Sequence, residues 1–481
     1  MRKFFDMYKC LHITIKASFW FTVASLFQKG LAFLATPIYT RLLSTEDYGI
    51  YSVYVSWLGV ITIFATLNLS AGVLNNALLN EDKFNSNDEE ILSNFQFLEM
   101  MTISLVMAII IVLKLLFPKA LSLPLKALIM MAFSIFFSSA MSLWSIKERY
   151  RFRYFWVTVI SVISSLATVI FNLLFVYFGN NSSFALIYGT TFAAILSNMA
   201  IMAMNLIKGK RVFNFRLWKY AVCFNLPLIP HYLASTILVC ADKIMIDRIL
   251  SASQAGLYAV AYSLGNIVIV FVNAINSSLA PYTYQKLRSG GTEGIATFTN
   301  AVFALLLVIS GAVMMAGPEL IYMLGGNKYL EAKWVIPPVA GAIVFFFMYP
   351  MFANIEFYYE KRLMTMIASV IAAVANIILN LVFIPVYGYA AAAFTTLVCY
   401  ILLSLSHYFF YRIICREKGL KNVYDEKRIA VFSVITLVII VISYFLYLND
   451  AIRYCCMVVA MIFVVAFNKK LINAIKRILK K

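Results

Sequence analysis

The residues able to do chemistry in this chain are single ionic and amide side chains set inside long apolar runs. Lys29, beside Gln28, stands deep in the first run, either facing a hydrated interior, snorkelling to the interface or held in a structural ion pair. Glu99 lies about a third of the way along a later run, as a counter-charge to Lys29 or a site for a coupling ion. Asp242, Lys243, Asp247 and Arg248 cluster where another run ends. They form either a solvated loop with local ion pairs or an outer gate that contacts an anionic group. Amides recur at helical spacing: Asn68 with Asn75, Asn266 with Asn273 and then Asn276, and Asn376 with Asn380. Separations of seven or four put each pair on one helical face, suited to binding hydroxyl groups or to hydrogen-bonding between helices. His231 is a satisfied interior histidine or a proton-coupling site. Just before it, Pro227 and Pro230 predict a kinked helix with freed carbonyls, a plausible moving part.

Covalent and metal chemistry find little support. The chain has three histidines, His12, His231 and His407, and none stands at motif spacing from an acid. Its seven cysteines are scattered, with neither metal-ligand spacing nor a disulfide framework, and read as packing residues. No G-x-x-x-x-G-K-[ST] phosphate loop occurs. The expectation is a non-enzyme with no cofactor and no metal.

These groups must be positioned by membrane helices. Of 481 residues, 63% are hydrophobic and 13% charged, with a mean hydropathy of +0.87; a soluble domain carries about 25% charged residues. Apolar runs recur at lengths of about 20 residues, enough to cross the ~30 Å hydrocarbon core as helices. They are continuous rather than alternating, which excludes a β-barrel. Fourteen spans are predicted: 13–37, 48–78, 92–117, 123–146, 155–178, 183–207, 218–241, 256–280, 295–323, 335–358, 363–385, 387–411, 429–448 and 451–468. The first continues to Pro37 without a small-residue cleavage site, so it reads as a permanent helix rather than a signal peptide. The net charge of +19 is either a nucleic-acid signal or a membrane topology signal. Placing the spans decides it: 29 of the 40 Lys and Arg fall on one side, eight on the other and three inside spans. The chain is thus expected to bind no nucleic acid and to keep both termini in the cytoplasm. All connecting loops are short.

The chain also repeats itself. Arg41-Leu-Leu-Ser-Thr-Glu-Asp-Tyr-Gly49-Ile-Tyr51-Ser-Val53 recurs 207 residues on as Arg248-Ile-Leu-Ser-Ala-Ser-Gln-Ala-Gly256-Leu-Tyr258-Ala-Val260. Ile170-Phe-Asn172-Leu-Leu-Phe175 echoes in Ile378-Leu-Asn380-Leu-Val-Phe383 at nearly that offset. An offset of six helices gives copies of the same orientation, the parallel repeat of a transporter around a central pathway. Arg41 and Arg248 are repeat mates expected to face that pathway. The fold class expected is all-α integral membrane: two six-helix lobes at 1–210 and 211–415 around a central cavity, then two further helices and a basic tail at 416–481.

The segments 40–51 (TRLLSTEDYGIY), 226–231 (LPLIPH), 241–258 (ADKIMIDRIL…GLY) and 376–393 (NIILNLVFIPVYGYAAAA) resemble the oligosaccharide flippases of the polysaccharide-transporter group. That group includes the Wzx-like O-antigen flippases, in the MOP superfamily with multidrug-extrusion and lipid II flippases. The resemblance implies an undecaprenyl-diphosphate-linked oligosaccharide repeat unit, an O-antigen or capsule precursor, moved across the bacterial inner membrane by alternating access without ATP hydrolysis. Further implied partners are the lipid bilayer, a coupling ion (H+ or Na+), a polysaccharide polymerase and chain-length proteins. Cavity cations and amides would then hold diphosphate and sugar hydroxyls: Lys29, Arg41, Lys243, Arg248, Asn68, Asn75, Asn266, Asn273, Asn376 and Asn380. Glu99, Asp242, Asp247 and His231 would serve coupling or gating. The rivals are a multidrug or cation antiporter, which calls for an acidic cavity, and a membrane-bound glycan-processing enzyme, which calls for catalytic constellations not found above.

Overall fold

The computed structural model describes residues 13–119, 121–179, 183–421 and 423–462. Among them, thirteen helices are long and apolar enough to cross a membrane, and no strand occurs. They are α1 (Ile13–Leu42), α2 (Thr45–Ala65), α3 (Asp88–Leu116), α4 (Leu125–Tyr150), α5 (Tyr154–Phe178), α6 (Ser183–Gly209), a two-piece α7 (Phe215–Asn225 and Ile229–Ile249), α8 (Ala252–Arg288), α9 (Ile295–Met315), α10 (Ile336–Tyr358), α11 (Arg362–Tyr387), α12 (Ala390–Lys418) and α13 (Glu426–Leu446). The fourteenth expected span is helical over 450–462. Its remainder and the basic tail lie outside the described residues.

Local chemistry sets the ends. The Ser44 hydroxyl accepts from the Asp47 amide at 3.0 Å to start α2, and Asn87 accepts from the Glu90 amide at 2.9 Å to start α3. Both first turns carry acids, which suit the positive end of the helix dipole. In α7 the two helical pieces are joined by a 3-10 turn, Leu226–Leu228, containing Pro227, and Pro230 opens the second piece. Proline lacks the N–H that would continue the ladder.

The second span differs from expectation. It stops at Ala65 rather than running to 78; a turn follows, then the short helix Val73–Leu79. Leu67 and Asn68 take φ of 49° and Gly72 takes 99°, values incompatible with a continuing helix. Asn68 and Asn75 therefore do not share a helical face, and the spacing argument for that pair fails.

Backbone contacts divide the chain into two compact units, Met1–Gly256 and Leu257–Lys481. In the first, α6 packs on α4, α5 and α3, α1 on α5, and α7 on α2. A core of Leu69, Leu74, Leu78, Ile91, Phe95, Leu143 and Leu217 joins the short helix Val73–Leu79 to α3, α4 and the first piece of α7. In the second, α10 is the central helix, with 89% of its most apolar window buried. It is enclosed by α9, α11, α12 and α13.

Within the first unit the repeated segment meets its own copy. A Cβ on Gly49 would collide with the carbonyl oxygen of Ala252 and sit 3.1 Å from the Gly256 nitrogen. A Cβ on Gly256 would collide with the carbonyl oxygen of Thr45 and sit 3.1 Å from the Gly49 nitrogen. Thr45 and Ala252 are repeat mates, as are the two glycines, so a local two-fold relates the crossing. Small residues let helix backbones approach this closely. The Thr45 and Ser253 hydroxyls, 2.7 Å apart, add a hydrogen bond.

Candidate functional site

Three cations collect around a cavity of about 460 Å³ in the first unit, lined by Asn80, Lys83, Phe84, Arg216, Lys219, Tyr220 and Cys223. Asn214 caps the first piece of α7, its Oδ1 accepting from the Arg216 and Leu217 amides at 3.1 and 3.3 Å. That helix buries Leu217 and Ala221 and turns Arg216 and Lys219, three apart, to the opposite side. Lys83 arrives on the one-turn helix Glu81–Phe84, ended by the left-handed Asn85. Phe84 and Tyr220, rings 5.0 Å apart, line the cavity between these cations.

Nearby cations are differently placed. Lys147 pairs with Glu89 at 2.8 Å and with Glu148 at 3.4 Å, and Arg151 with Asp88. Glu81, outside the spans, is pushed above the ordinary carboxylate range by its hydrogen bond to Asp88 and by desolvation. Lys83, Arg216 and Lys219 make no ion pair among the described residues, and no acid lines their cavity. Like charges gathered round one cavity repel, and an anion placed there would relieve that repulsion. Lys83 stands 133 residues from Arg216. The charge count had placed all three on one side of the membrane without bringing them together.

The residues singled out in the sequence are distributed as follows. On α1, Lys29 and Arg41 are exposed, and Gln28 donates to the Ser161 carbonyl at 3.3 Å. On α3, Glu99 is buried, one carboxylate oxygen without a hydrogen-bond partner. Close by, Gln96 bonds Ser139 and Asn205 at 3.2 Å each, giving the first unit a polar interior. Asp242 is buried within α7, Lys243 and Asp247 are half-buried, and Arg248 donates to the Lys119 carbonyl at 2.8 Å. His231 is half-buried, its ring 5.9 Å from that of Tyr232. The backbone carbonyls of Leu67 and Asn68 accept from buried Asn225 at 2.6 and 2.7 Å, while Asn75 is exposed. Asn266 and Asn273 are exposed on α8.

Asn376 and Asn380 are buried between α11 and α12. Asn380 donates to Asn376 at 3.3 Å, Asn376 to Thr396 at 3.4 Å, and Thr395 donates to Asn380. Asn172, the repeat mate of Asn380, likewise accepts from Thr190 on the next helix at 3.2 Å and donates to Tyr39 at 3.3 Å. The second sequence echo thus marks the same joint in each unit: an asparagine locked to a threonine across a helix pair.

The thirteen spans among the described residues, with their parallel repeat and polar interiors, define a polytopic membrane protein of transporter architecture. The sequence profile of the polysaccharide biosynthesis protein family matches residues 14–286, more than half the chain, and the chain belongs to that family. Two relatives support this. Lsg locus putative protein 1 of Haemophilus influenzae is 29% identical over 162 residues, 32% of this chain and only 39% of that protein's length. A probable low-salt glycan biosynthesis flippase, Agl15 of Haloferax volcanii, is 21% identical over 399 residues, 80% of each chain. Among solved structures, the lipid II flippase MurJ in an inward closed conformation has a TM-score of 0.68 at 16% identity, covering 94% of this chain and 99% of its own. An inward-facing multidrug resistance transporter of the MATE family has a TM-score of 0.65 at 12% identity, covering 82% and 96%. The chain shares its fold with these two solved structures.

Proposed function

We infer that the chain is a flippase for undecaprenyl-diphosphate-linked oligosaccharide, an O-antigen or capsule precursor. It carries the headgroup from the cytoplasmic to the outer leaflet of a bacterial inner membrane by alternating access, with both termini in the cytoplasm. The observation that carries this reading is the cavity of Lys83, Arg216 and Lys219, which lacks acids. A diphosphate accepts bidentate and charge-assisted hydrogen bonds from such a set, whereas a cationic drug would be repelled. Each sugar hydroxyl stripped of water costs roughly 4–8 kcal/mol in an alkane-like medium, so a headgroup crosses only through a polar interior. Lys29, Arg41, Lys243, Arg248 and the exposed amides Asn266 and Asn273 are proposed to line its route, with Glu99, Asp242, Asp247 and His231 in coupling or gating. H+ or Na+ would supply the coupling, and a polysaccharide polymerase and chain-length proteins would receive the product.

The test is a proteoliposome assay with a fluorescent lipid-linked oligosaccharide and an outer-leaflet quencher. A charged hydrogen bond contributes about 1.5–3 kcal/mol, so the triple variant Lys83→Ala, Arg216→Ala, Lys219→Ala should lower flipping at sub-saturating substrate at least tenfold. Lys29→Gln should also slow it. Wild-type rates in the triple variant would take the cavity out of the route, and export of cationic dyes dependent on an acid, without glycan flipping, would replace this reading with the antiporter.

A further inference from the structure

The second unit holds an ionisable pair that neither sequence motif nor repeat announces. Glu356, in the last turn of α10, and His407, on α12, are both fully buried, with His407 Nδ1 2.7 Å from Glu356 Oε1. Thr365, in the first turn of α11, donates to the other carboxylate oxygen at 2.7 Å. His407 Nε2 is buried with no hydrogen-bond partner. Among the described side chains, the neighbouring ionisable groups are turned elsewhere or uncharged. From α10, the Tyr349 ring lies 4.8 Å from the imidazole. On α12, Arg412 and Tyr408 both bond Glu426 of α13, at 2.6 and 2.8 Å. Lys361 pairs with Glu417 at 3.1 Å, and α9 carries no ionisable residue.

An intramembrane acid and base with no other counter-charge among the described side chains form a functional site by default, because each charge alone is costly to bury. We propose that Glu356 and His407 form a proton-binding site whose occupancy is linked to the separation of α10, α11 and α12. One proton shared by the pair makes it neutral overall, whether carried as carboxylic acid with imidazole or as carboxylate with imidazolium. A second proton, or none, leaves a net charge sealed from water. Release therefore requires the helices to admit water, and the unpartnered Nε2 is the atom water reaches. Its N–H passes a proton to that water as hydronium, while the carboxyl proton moves across to Nδ1. The product is a Glu356 carboxylate held by Nδ1–H and by Thr365. Loading runs the same steps backwards. By linkage, whatever opens this joint changes proton occupancy, and the proton changes the opening by the same factor. The pair sits at the end of α10 near Lys361 and Arg412, the side the charge pattern assigns to the cytoplasm.

The proton site stands on this unit's own geometry; its use in coupling rests on the flippase reading. Three histidines in the whole chain make the first test direct. Full-length protein with 15N-labelled histidine is placed in nanodiscs, and signals are assigned by His12→Asn, His231→Asn and His407→Asn. As bulk pH is varied over the range in which the protein stays folded, the His407 nitrogens should change tautomer or charge, and Glu356→Gln should abolish the change. Thr365→Val, a milder variant, should shift the titration without removing it. His407 signals constant across that range in wild type, or equally responsive in Glu356→Gln and Thr365→Val, overturn the proposal. In the second test, an imposed pH gradient at zero membrane potential should alter wild-type glycan flipping at least fivefold and Glu356→Gln flipping less than twofold. An equal response in both overturns the proposal. Wild-type protein that flips no glycan under any gradient, yet shows the His407 titration, overturns the flippase reading and leaves the proton site standing.

Discussion

Gly49 and Gly59 lie on one helix ten residues apart, and the space around them gives opposite expectations. A methyl group at Gly49 runs into the Ala252 carbonyl, a backbone atom that cannot swing aside. At Gly59 the same methyl would lie 3.4 Å from the Cys240 sulfur and 3.7 Å from Thr236 Cγ2, ordinary contact distances. Gly49→Ala should therefore destabilise by about 1–3 kcal/mol, the usual range for overpacking, and Gly59→Ala should be neutral or slightly stabilising, since glycine costs roughly 1 kcal/mol in a helix interior. Thermal unfolding of the two variants in one detergent decides the matter. At this scale the sequence is legible where a residue type is itself unusual. Gly49 was visible as a repeat position, and Asn380 as an amide in an apolar run, although the partners that bury it, Thr395 and Asn376, were not. Glu356 and His407 stand 51 residues apart on separate helices, so only their isolation in apolar runs signals them.

The broken α7 and the short helix Gly317–Gly325 show what whole elements contribute. Removing a proline from a helix interior restores a donor and relieves a clash worth about 3 kcal/mol. Pro227→Ala should thus let the pieces Phe215–Asn225 and Ile229–Ile249 join, seen as slower hydrogen exchange at 226–232, and should slow transport if bending there is a working motion. Arg453, in the last described helix, is almost fully buried and grips Glu319 of the short helix at 2.6 Å and Asp450 at 2.8 Å. Burial pushes the Glu319 carboxyl up, but hydrogen bonds from Tyr454 and Arg453 outweigh it and hold the group below its ordinary range. A carboxylate lowered in the folded state stabilises above the ordinary carboxylate range, and that contribution fades as pH falls through the lowered value. Glu319→Gln should lower the unfolding midpoint at neutral pH and differ little from wild type in strong acid. Element positions were readable because twenty-residue apolar runs allow no other use. The end of α2 was not: Thr66, Asn68, Ser70 and Gly72 are interleaved with apolar residues between two apolar stretches, and the backbone turn at Leu67, Asn68 and Gly72 separates Val73–Leu79 from α2.

Across the whole molecule, the 29-to-8 imbalance of basic residues predicts that a fluorescent protein fused at either terminus will fold and glow in the cytoplasm. The proposed function also predicts the sense in which membrane potential acts. An anionic headgroup leaving a negative cytoplasm gains ~2.3 kcal/mol per charge per 100 mV if it crosses the whole field. Proteoliposomes with an imposed interior-negative potential should flip lipid-linked diphosphate outward faster than unpolarised ones, and reversing the potential should slow them. An electroneutral response would mean that protein cations move with the substrate. The crossing of Gly49 with Gly256 also limits what can be changed one position at a time. A side chain added at either glycine meets backbone of the other repeat copy, the carbonyl of Ala252 or of Thr45, and no side-chain change at the opposite position can move that backbone aside.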